Sequence, residues 1–162
     1  MRTPLVVAGA VTAGALLLWF AESFGSRERP LQSVGVIDGL MVGLAQALAL
    51  IPGISRSGAT ISGGLLLGFR REAAARFGFL LGIPAIAGAG TIELRRLLES
   101  SEDLAASAPL LVIGVVSAFI SGLFAIKLLF RILDGGSTRI CVAYRFAFAA
   151  VLVASVVLRG GE

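Results

Sequence analysis

Residues 36–69 read VIDGLMVGLAQALALIPGISRSGATISGGLLLGF. The stretch is apolar at both ends and broken in the middle. Its first arm, Val36–Leu50, has 15 residues, roughly 22 Å as a helix. Its second arm, residues 59–69, has 11, roughly 16 Å. Neither crosses a hydrocarbon core of about 30 Å. A single straight helix is disfavoured by Pro52, Gly53 and the polar run Ser55-Arg56-Ser57-Gly58. The lengths predict a re-entrant hairpin of two half-helices meeting near mid-membrane, an irregularity that survives only when buried in protein or lining a wet cavity. Gly35, Gly39 and Gly43 recur every fourth residue, with Gln46 on the same face, and Gly64 and Gly68 repeat the spacing on the second arm. Small residues at this spacing let helix backbones approach closely.

The rest of the chain fits a membrane protein around that hairpin. Of 162 residues, 57% are apolar and only 15% charged, and the mean hydropathy is +0.95. The charges cluster between apolar runs, as in a polytopic helical membrane protein. No two-residue alternation is sustained, which excludes a barrel. Four further runs, residues 4–21, 77–92 (with Pro84 inside), 108–126 (extending to 133) and 140–158, predict spanning helices. The expected fold is therefore all-α: one transmembrane domain over residues 1–162, with about four transmembrane helices and one re-entrant hairpin. The start, Met1-Arg2-Thr3 before an apolar run, is like a signal peptide, but the run is too long and charges follow it. It is read as a retained helix.

The net charge of +4 comes from 14 basic and 10 acidic residues. Most basic residues flank apolar runs and form no basic face with aromatics, so nucleic acid is excluded as a partner. With a re-entrant hairpin, Arg27, Arg29, Arg70, Arg71, Arg76, Lys127, Arg131 and Arg139 share one side, and Arg2, Arg95, Arg96 and Arg159 the other. The positive-inside rule then puts both termini outside the cytoplasm; if residues 36–69 crossed once, the bias would shrink. The chain has no histidine, which rules out a His-based zinc site or a His general base from its own residues. The one cysteine, Cys141, forms no intrachain disulfide and is expected to pack in a helix.

The chemistry is concentrated in residues 52–60. Arg56 in an apolar region needs a partner, and its planar fork suits phosphate or carboxylate. Ser55 and Ser57 flank it, and Thr60 follows one helical turn later. All four stand at the start of the second half-helix, where free backbone N–H groups point outward. An arginine, three hydroxyls and a helix N-terminus make an anion site, and discontinuous membrane helices use their N-termini in this way. Gln46 on the facing arm is a further candidate contact. Two plainer readings compete: a surface loop between two short spans, or Arg56 bridged to a buried acid. The arms are too short for the first. Asp38, the only acid in the region, lies far from the tip and is expected to cap the first arm. Arg145 lies near the start of its helix and is expected to snorkel to the interface, without a role. Glu22 and Glu28 are read as one charged loop, Glu93 and Glu99 as another.

Gly43-Leu44-Ala45-Gln46, and then Ile51-Pro52-Gly53-Ile54-Ser55-Arg56-Ser57-Gly58-Ala59-Thr60, resemble the second signature of the bacterial undecaprenyl-diphosphate phosphatases, the bacitracin-resistance family. The likeness extends through Phe69-Arg70-Arg71-Glu72-Ala73-Ala74-Ala75-Arg76-Phe77 and Phe79-Leu80-Leu81-Gly82-Ile83-Pro84, and in hydropathy over nearly the whole chain. The resemblance implies an inner-membrane enzyme built from inverted repeats with two re-entrant hairpins. Such an enzyme releases inorganic phosphate from the C55 polyprenyl diphosphate, regenerating the carrier lipid for cell-wall polymers. It implies that Arg56, Ser55, Ser57 and Thr60 bind the diphosphate, that a motif serine or a water attacks, and that magnesium or calcium assists. The family's first signature, glutamates four apart with a Pro-Ile-Ser-Ser run and a histidine, has no counterpart here. Metal ligands and the general acid or base are therefore unassigned. The chain is expected to be a partial copy lacking the N-terminal half, from a partial sequence or a late start codon, with homodimerisation as another way to cover its open faces. A lipid-phosphate binding or transport half-module is the alternative function, and a non-catalytic remnant a third.

Overall fold

The computed structural model describes residues 4–99, 104–135 and 138–159. Arg2, Glu102 and Asp103, which enter the charge comparison or its loops, lie outside the described residues. Six helices follow in order: α1 Pro4–Phe24, α2 Val36–Ala47, α3 Arg56–Leu66, α4 Arg71–Glu99, α5 Leu104–Asp134 and α6 Arg139–Arg159. Four stretches, Val6–Phe24, Arg71–Glu99, Ala108–Asp134 and Arg139–Val156, are long and apolar enough to cross a membrane. The fold is all-α, as the composition predicts, and the protein is a multi-pass membrane protein. Pro84 lies inside α4 without ending it.

The chain forms two compact units, one of Met1–Leu81 with Ile132–Glu162, the other of Gly82–Arg131. In the second, side chains such as Leu110, Phe119 and Phe124 are exposed. Ser117 and Ser121 bond their own helix's carbonyls, as is usual for hydroxyls facing an apolar medium. Two ion pairs in it are local, Arg95 with Glu99 and Arg96 with Glu93.

The first unit carries the hairpin. Ala8, Val11, Ala15, Leu18 and Ala21 are buried along one stripe of α1, spaced three or four residues apart. The stripe is mostly small, so neighbouring helices come close; in a membrane that packing, rather than escape from water, supplies the attraction. A Cβ added at Gly53 would lie 2.7 Å from the Val7 carbonyl oxygen and 2.8 Å from the Ala10 methyl. At the other end, one added at Gly25 would collide with the Leu65 carbonyl oxygen. Helix α3 thus runs parallel to α1. Helix α6 runs antiparallel to α1, with Thr138 bonded to Glu22 and Arg145 reaching Gly14. The hairpin arms pack on each other, and a Cβ at Gly63 would lie 2.9 Å from that of Ala45.

Backbone hydrogen bonds tie the two ends of residues 36–69 together. The Glu28 and Arg29 N–H groups donate to the Gly68 carbonyl at 2.9 Å, and Arg70 N–H donates to the Arg29 carbonyl at 2.9 Å. Arg29 completes the joint. Its two terminal nitrogens hold both Asp38 oxygens at 2.9 and 2.7 Å, one also reaches the Leu67 carbonyl, and its guanidinium lies 4.4 Å from the Phe69 ring centre. Asp38 accepts the Gly35 N–H at 2.8 Å and so caps α2, as expected. Arg29, and next the Gly35 amide, hold the Asp38 carboxyl below the usual carboxylate range. A depressed folded pKa adds stability that is present above the unfolded value, about 3.9, and lost as pH falls through the folded one. The melting-point gap between the parent chain and Asp38→Asn should therefore close as pH drops below about 4. A gap that shows no narrowing as pH falls below about 4 would remove this ion pair from the account.

Several expectations change. The second arm begins at Arg56 rather than Ala59, because Ser55 caps it. It stops at Leu66, because Gly68 takes φ +83° and turns the chain. The glycine stripe is not one packed face. Nothing approaches a Cβ placed at Gly39 or Gly43, whereas one at Gly64 would lie 2.7 Å from that of Ala74. Glu22 is not in a loop. It ends α1, buried, and its carboxylate accepts bonds from Arg71 (Nε at 2.8 Å, and Nη2), Arg27 (3.4 Å) and Thr138 (2.9 Å). This cluster joins the end of α1 to the starts of α4 and α6. Glu22→Gln leaves two arginines without their carboxylate. It is expected to cost about 1–3 kcal/mol, read as a lowered thermal midpoint in detergent; an unchanged midpoint would make the cluster incidental.

Candidate functional site

The break between α2 and α3 is a short run of special backbone. Helix α2 tightens into a 3-10 turn at Leu48–Leu50, Ile51 is extended, and Gly53 takes φ +105°, a region that favours glycine. Ser55 is then the N-cap of α3, its Oγ accepting the Gly58 N–H at 3.4 Å. The Ser57 hydroxyl lies 3.1 Å from that of Ser55. These two hydroxyls and the first free amides of α3 share one helix end, where the backbone carries partial positive charge.

Arg56, the first residue of α3, is exposed and makes no ion pair among the described residues. Asp38 is not its partner, since Arg29 holds that carboxylate. Thr60 sits differently from the serines. It is 1% exposed, and its Oγ1 donates to the Arg56 and Ser57 carbonyls at 3.1 and 3.2 Å. A Cβ on Gly78 would lie 2.6 Å from that oxygen, so Thr60 faces the start of α4. The Gln46 Oε1 is buried without a hydrogen-bond partner, a costly state for an acceptor unless a donor arrives.

The sequence reading missed Arg145. Its side chain does not snorkel. Nη1 points to the Gly14 carbonyl at 3.5 Å, and a methyl group at position 58 would collide with both terminal nitrogens. The signal was available: an arginine six residues into an apolar helix with no acid in the run.

A cavity of about 520 Å3 lies at the other end of α1, lined by Glu22, Arg27, Arg71, Thr138 and Arg139 among others. It is eight residues along α1 from Gly14, roughly 12 Å, and its central carboxylate is already engaged. The motif, not this cavity, gathers unsatisfied donors. Among the described residues, no group of three or more His, Cys, Asp or Glu side chains could hold a metal ion. The described residues therefore offer no ready cluster for the divalent cation that the resemblance implies.

Residues 1–151 match the family model described as bacitracin resistance protein BacA. The chain belongs to this family. Among similar proteins, the undecaprenyl-diphosphatase of Thermomicrobium roseum is 55% identical over 137 residues, covering 85% of this chain and 49% of the relative. That of Moorella thermoacetica is 44% identical over 158 residues, covering 98% and 59%. That of Trichodesmium erythraeum is 45% identical over 160 residues, covering 97% and 50%. The chain thus spans about half the length of the curated relatives it matches.

Proposed function

We propose that this family member supplies the diphosphate-binding part of an undecaprenyl-diphosphate phosphatase, which hydrolyses the lipid diphosphate to undecaprenyl phosphate and inorganic phosphate. The observation that carries this reading is the first turn of α3, where the Ser55 and Ser57 hydroxyls lie 3.1 Å apart beside the free helix amides and the exposed Arg56 opens the helix. Arg56 takes the phosphoryl oxygens in bidentate fashion, and the serines and the Gln46 amide complete the shell. Thr60 holds the first turn by bonding its carbonyls. Carboxylate ligands for a divalent cation come from outside the described residues, either from a complementary segment or from a second copy. Titration of inorganic pyrophosphate into the purified chain tests the reading: saturable binding is expected, lost in Arg56→Ala. Binding without phosphate release, once carboxylates and an imidazole are supplied in trans, would favour the lipid-phosphate binding or transport module instead. The missing cation cluster is the observation behind that second reading.

The site lies deep. From Gly25 to Gly14 along α1 is 11 residues, roughly 16 Å, about half a hydrocarbon core. With both ends of residues 36–69 tied together, the hairpin enters and leaves on the basic side of the cytoplasmic membrane, and both termini are non-cytoplasmic. Single cysteines just before residue 36 and just after residue 69 should react with an impermeant thiol reagent from the same side. Labelling from opposite sides would exclude the re-entrant hairpin.

A further inference from the structure

We propose that Arg145 is a second phosphate-contacting arginine, and that it selects a diphosphate over a monophosphate. The proposal rests on the reading of the α3 N-terminus as a phosphate site, and goes beyond it by assigning a residue on another helix and a specificity.

Arg145 enters from α6, six residues past Arg139, about 9 Å along the helix. Its half-buried side chain spends its length going inward, to the level of Gly14 on α1 rather than to Glu22 at the membrane edge. Its one neutral acceptor, the Gly14 carbonyl, is at the 3.5 Å limit of a hydrogen bond. No carboxylate among the described residues pairs with it. A cation kept at this depth without an anion is costly.

Its neighbour makes the arrangement more telling. The guanidinium rests on Gly58, the third residue of α3, in the turn whose free N–H groups carry the positive end of the helix dipole. Cations are favourable at helix C-termini and unfavourable at N-termini. Arg56 opens the same turn. A guanidinium therefore lies on a helix N-terminus with no carboxylate among the described residues paired to it, an arrangement that favours a bound anion. Gly58 makes the approach possible, since any side chain there would occupy the space of the guanidinium head. A single phosphoryl group is satisfied by Arg56 with the amides and serines. The second phosphoryl group of a diphosphate calls for a second fork, and Arg145 provides it.

The test uses the purified 162-residue chain in detergent, titrated calorimetrically with inorganic pyrophosphate and, separately, with inorganic phosphate. Arg145→Gln is expected to weaken pyrophosphate binding roughly tenfold or more, the worth of a charge-assisted contact, and phosphate binding far less, so that the preference for pyrophosphate shrinks. Gly58→Ala should shrink it too, with the arginine still present, because the added methyl displaces only the far end of a flexible side chain. Arg145→Lys should restore part of the preference, since it returns the charge without the fork. A purely structural role would lower the melting midpoint and weaken both ligands in proportion. That result, or an unchanged preference in Arg145→Gln and Gly58→Ala, would overturn the proposal. If those variants keep the preference while Arg56→Ala loses binding, only Arg145 leaves the site; if Arg56→Ala binds as the parent does, the reading of the motif itself fails.

Discussion

Lysine at position 56 is expected to lose most of the chain's pyrophosphate affinity while the protein still inserts and elutes as the parent does. Arg56 is exposed and makes no ion pair among the described residues, so none of these contacts is lost with it. What changes is geometry: a guanidinium offers parallel donors to two phosphoryl oxygens, and an ammonium is a point charge. Losing one charge-assisted contact of about 2 kcal/mol corresponds to roughly thirtyfold in affinity; Arg56→Ala should lose more. Ser55→Ala and Ser57→Ala should each weaken binding by about 1 kcal/mol, and Ser55→Ala should also lower the melting point, because it removes the cap of α3. Thr60→Ala should act mainly on stability, since its hydroxyl is spent on the Arg56 and Ser57 carbonyls. Near-parental pyrophosphate affinity in Arg56→Lys would remove Arg56 from the site. In an assembled enzyme, complete loss of turnover confined to one serine would mark a covalent nucleophile rather than a binding hydroxyl.

The all-α, multi-pass character was legible in the long apolar runs, and four stretches are helices long and apolar enough to cross a membrane. The joint between residues 28–30 and 68–70 was not, since it pairs segments distant in sequence. The cap role of Asp38 was legible from its place near the start of an apolar arm, though not its bidentate partner Arg29, whose position depends on a chain reversal 38 residues away at Leu67. The helix start at Ser55–Arg56 was legible because a serine after Pro-Gly has a local meaning as a cap. Thr60 shows the limit of that reasoning: one turn from Arg56, it shares a sequence motif but faces α4, and only packing sets that direction. Arg145 and Glu22 failed for the same reason in opposite senses. Hydropathy treats a charge near a helix end as an interface anchor, yet Arg145 points inward along Gly14 and Gly58, and Glu22 is held by Arg71 and Thr138, both distant in sequence, beside the nearby Arg27. Both placements arise from the packing of α1 with α3, α4 and α6, which no local pattern encodes.

The 162-residue chain by itself is expected to bind the lipid diphosphate and not to hydrolyse it. Phosphoryl transfer needs the attacking and leaving oxygens in line and the developing charge neutralised. The α3 terminus, Arg56 and the serines are suited to holding oxygens and neutralising charge. Moving a proton or holding a cation is another matter. The chain has no histidine, and the buried carboxylates among the described residues are committed: Glu22 to Arg71, Arg27 and Thr138, Asp38 to Arg29 and the Gly35 amide. Freeing either would break the joint that positions the hairpin or the end of α1, so neither serves as a general base without cost to the fold. Glu28 is exposed at the hairpin's base, where the ends of the segment meet, not at its tip. Glu93 pairs with Arg96 in the other unit. In detergent with magnesium or calcium, the purified chain should therefore release phosphate no faster than its Arg56→Ala variant. Co-expression with a segment of a relative that carries a glutamate pair and a histidine should raise release well above that baseline, and Arg56→Ala should abolish the gain. Robust, Arg56-dependent release by the chain alone would mean that one of its own carboxylates acts in turnover, and Glu22→Gln and Asp38→Asn would then test the two buried ones.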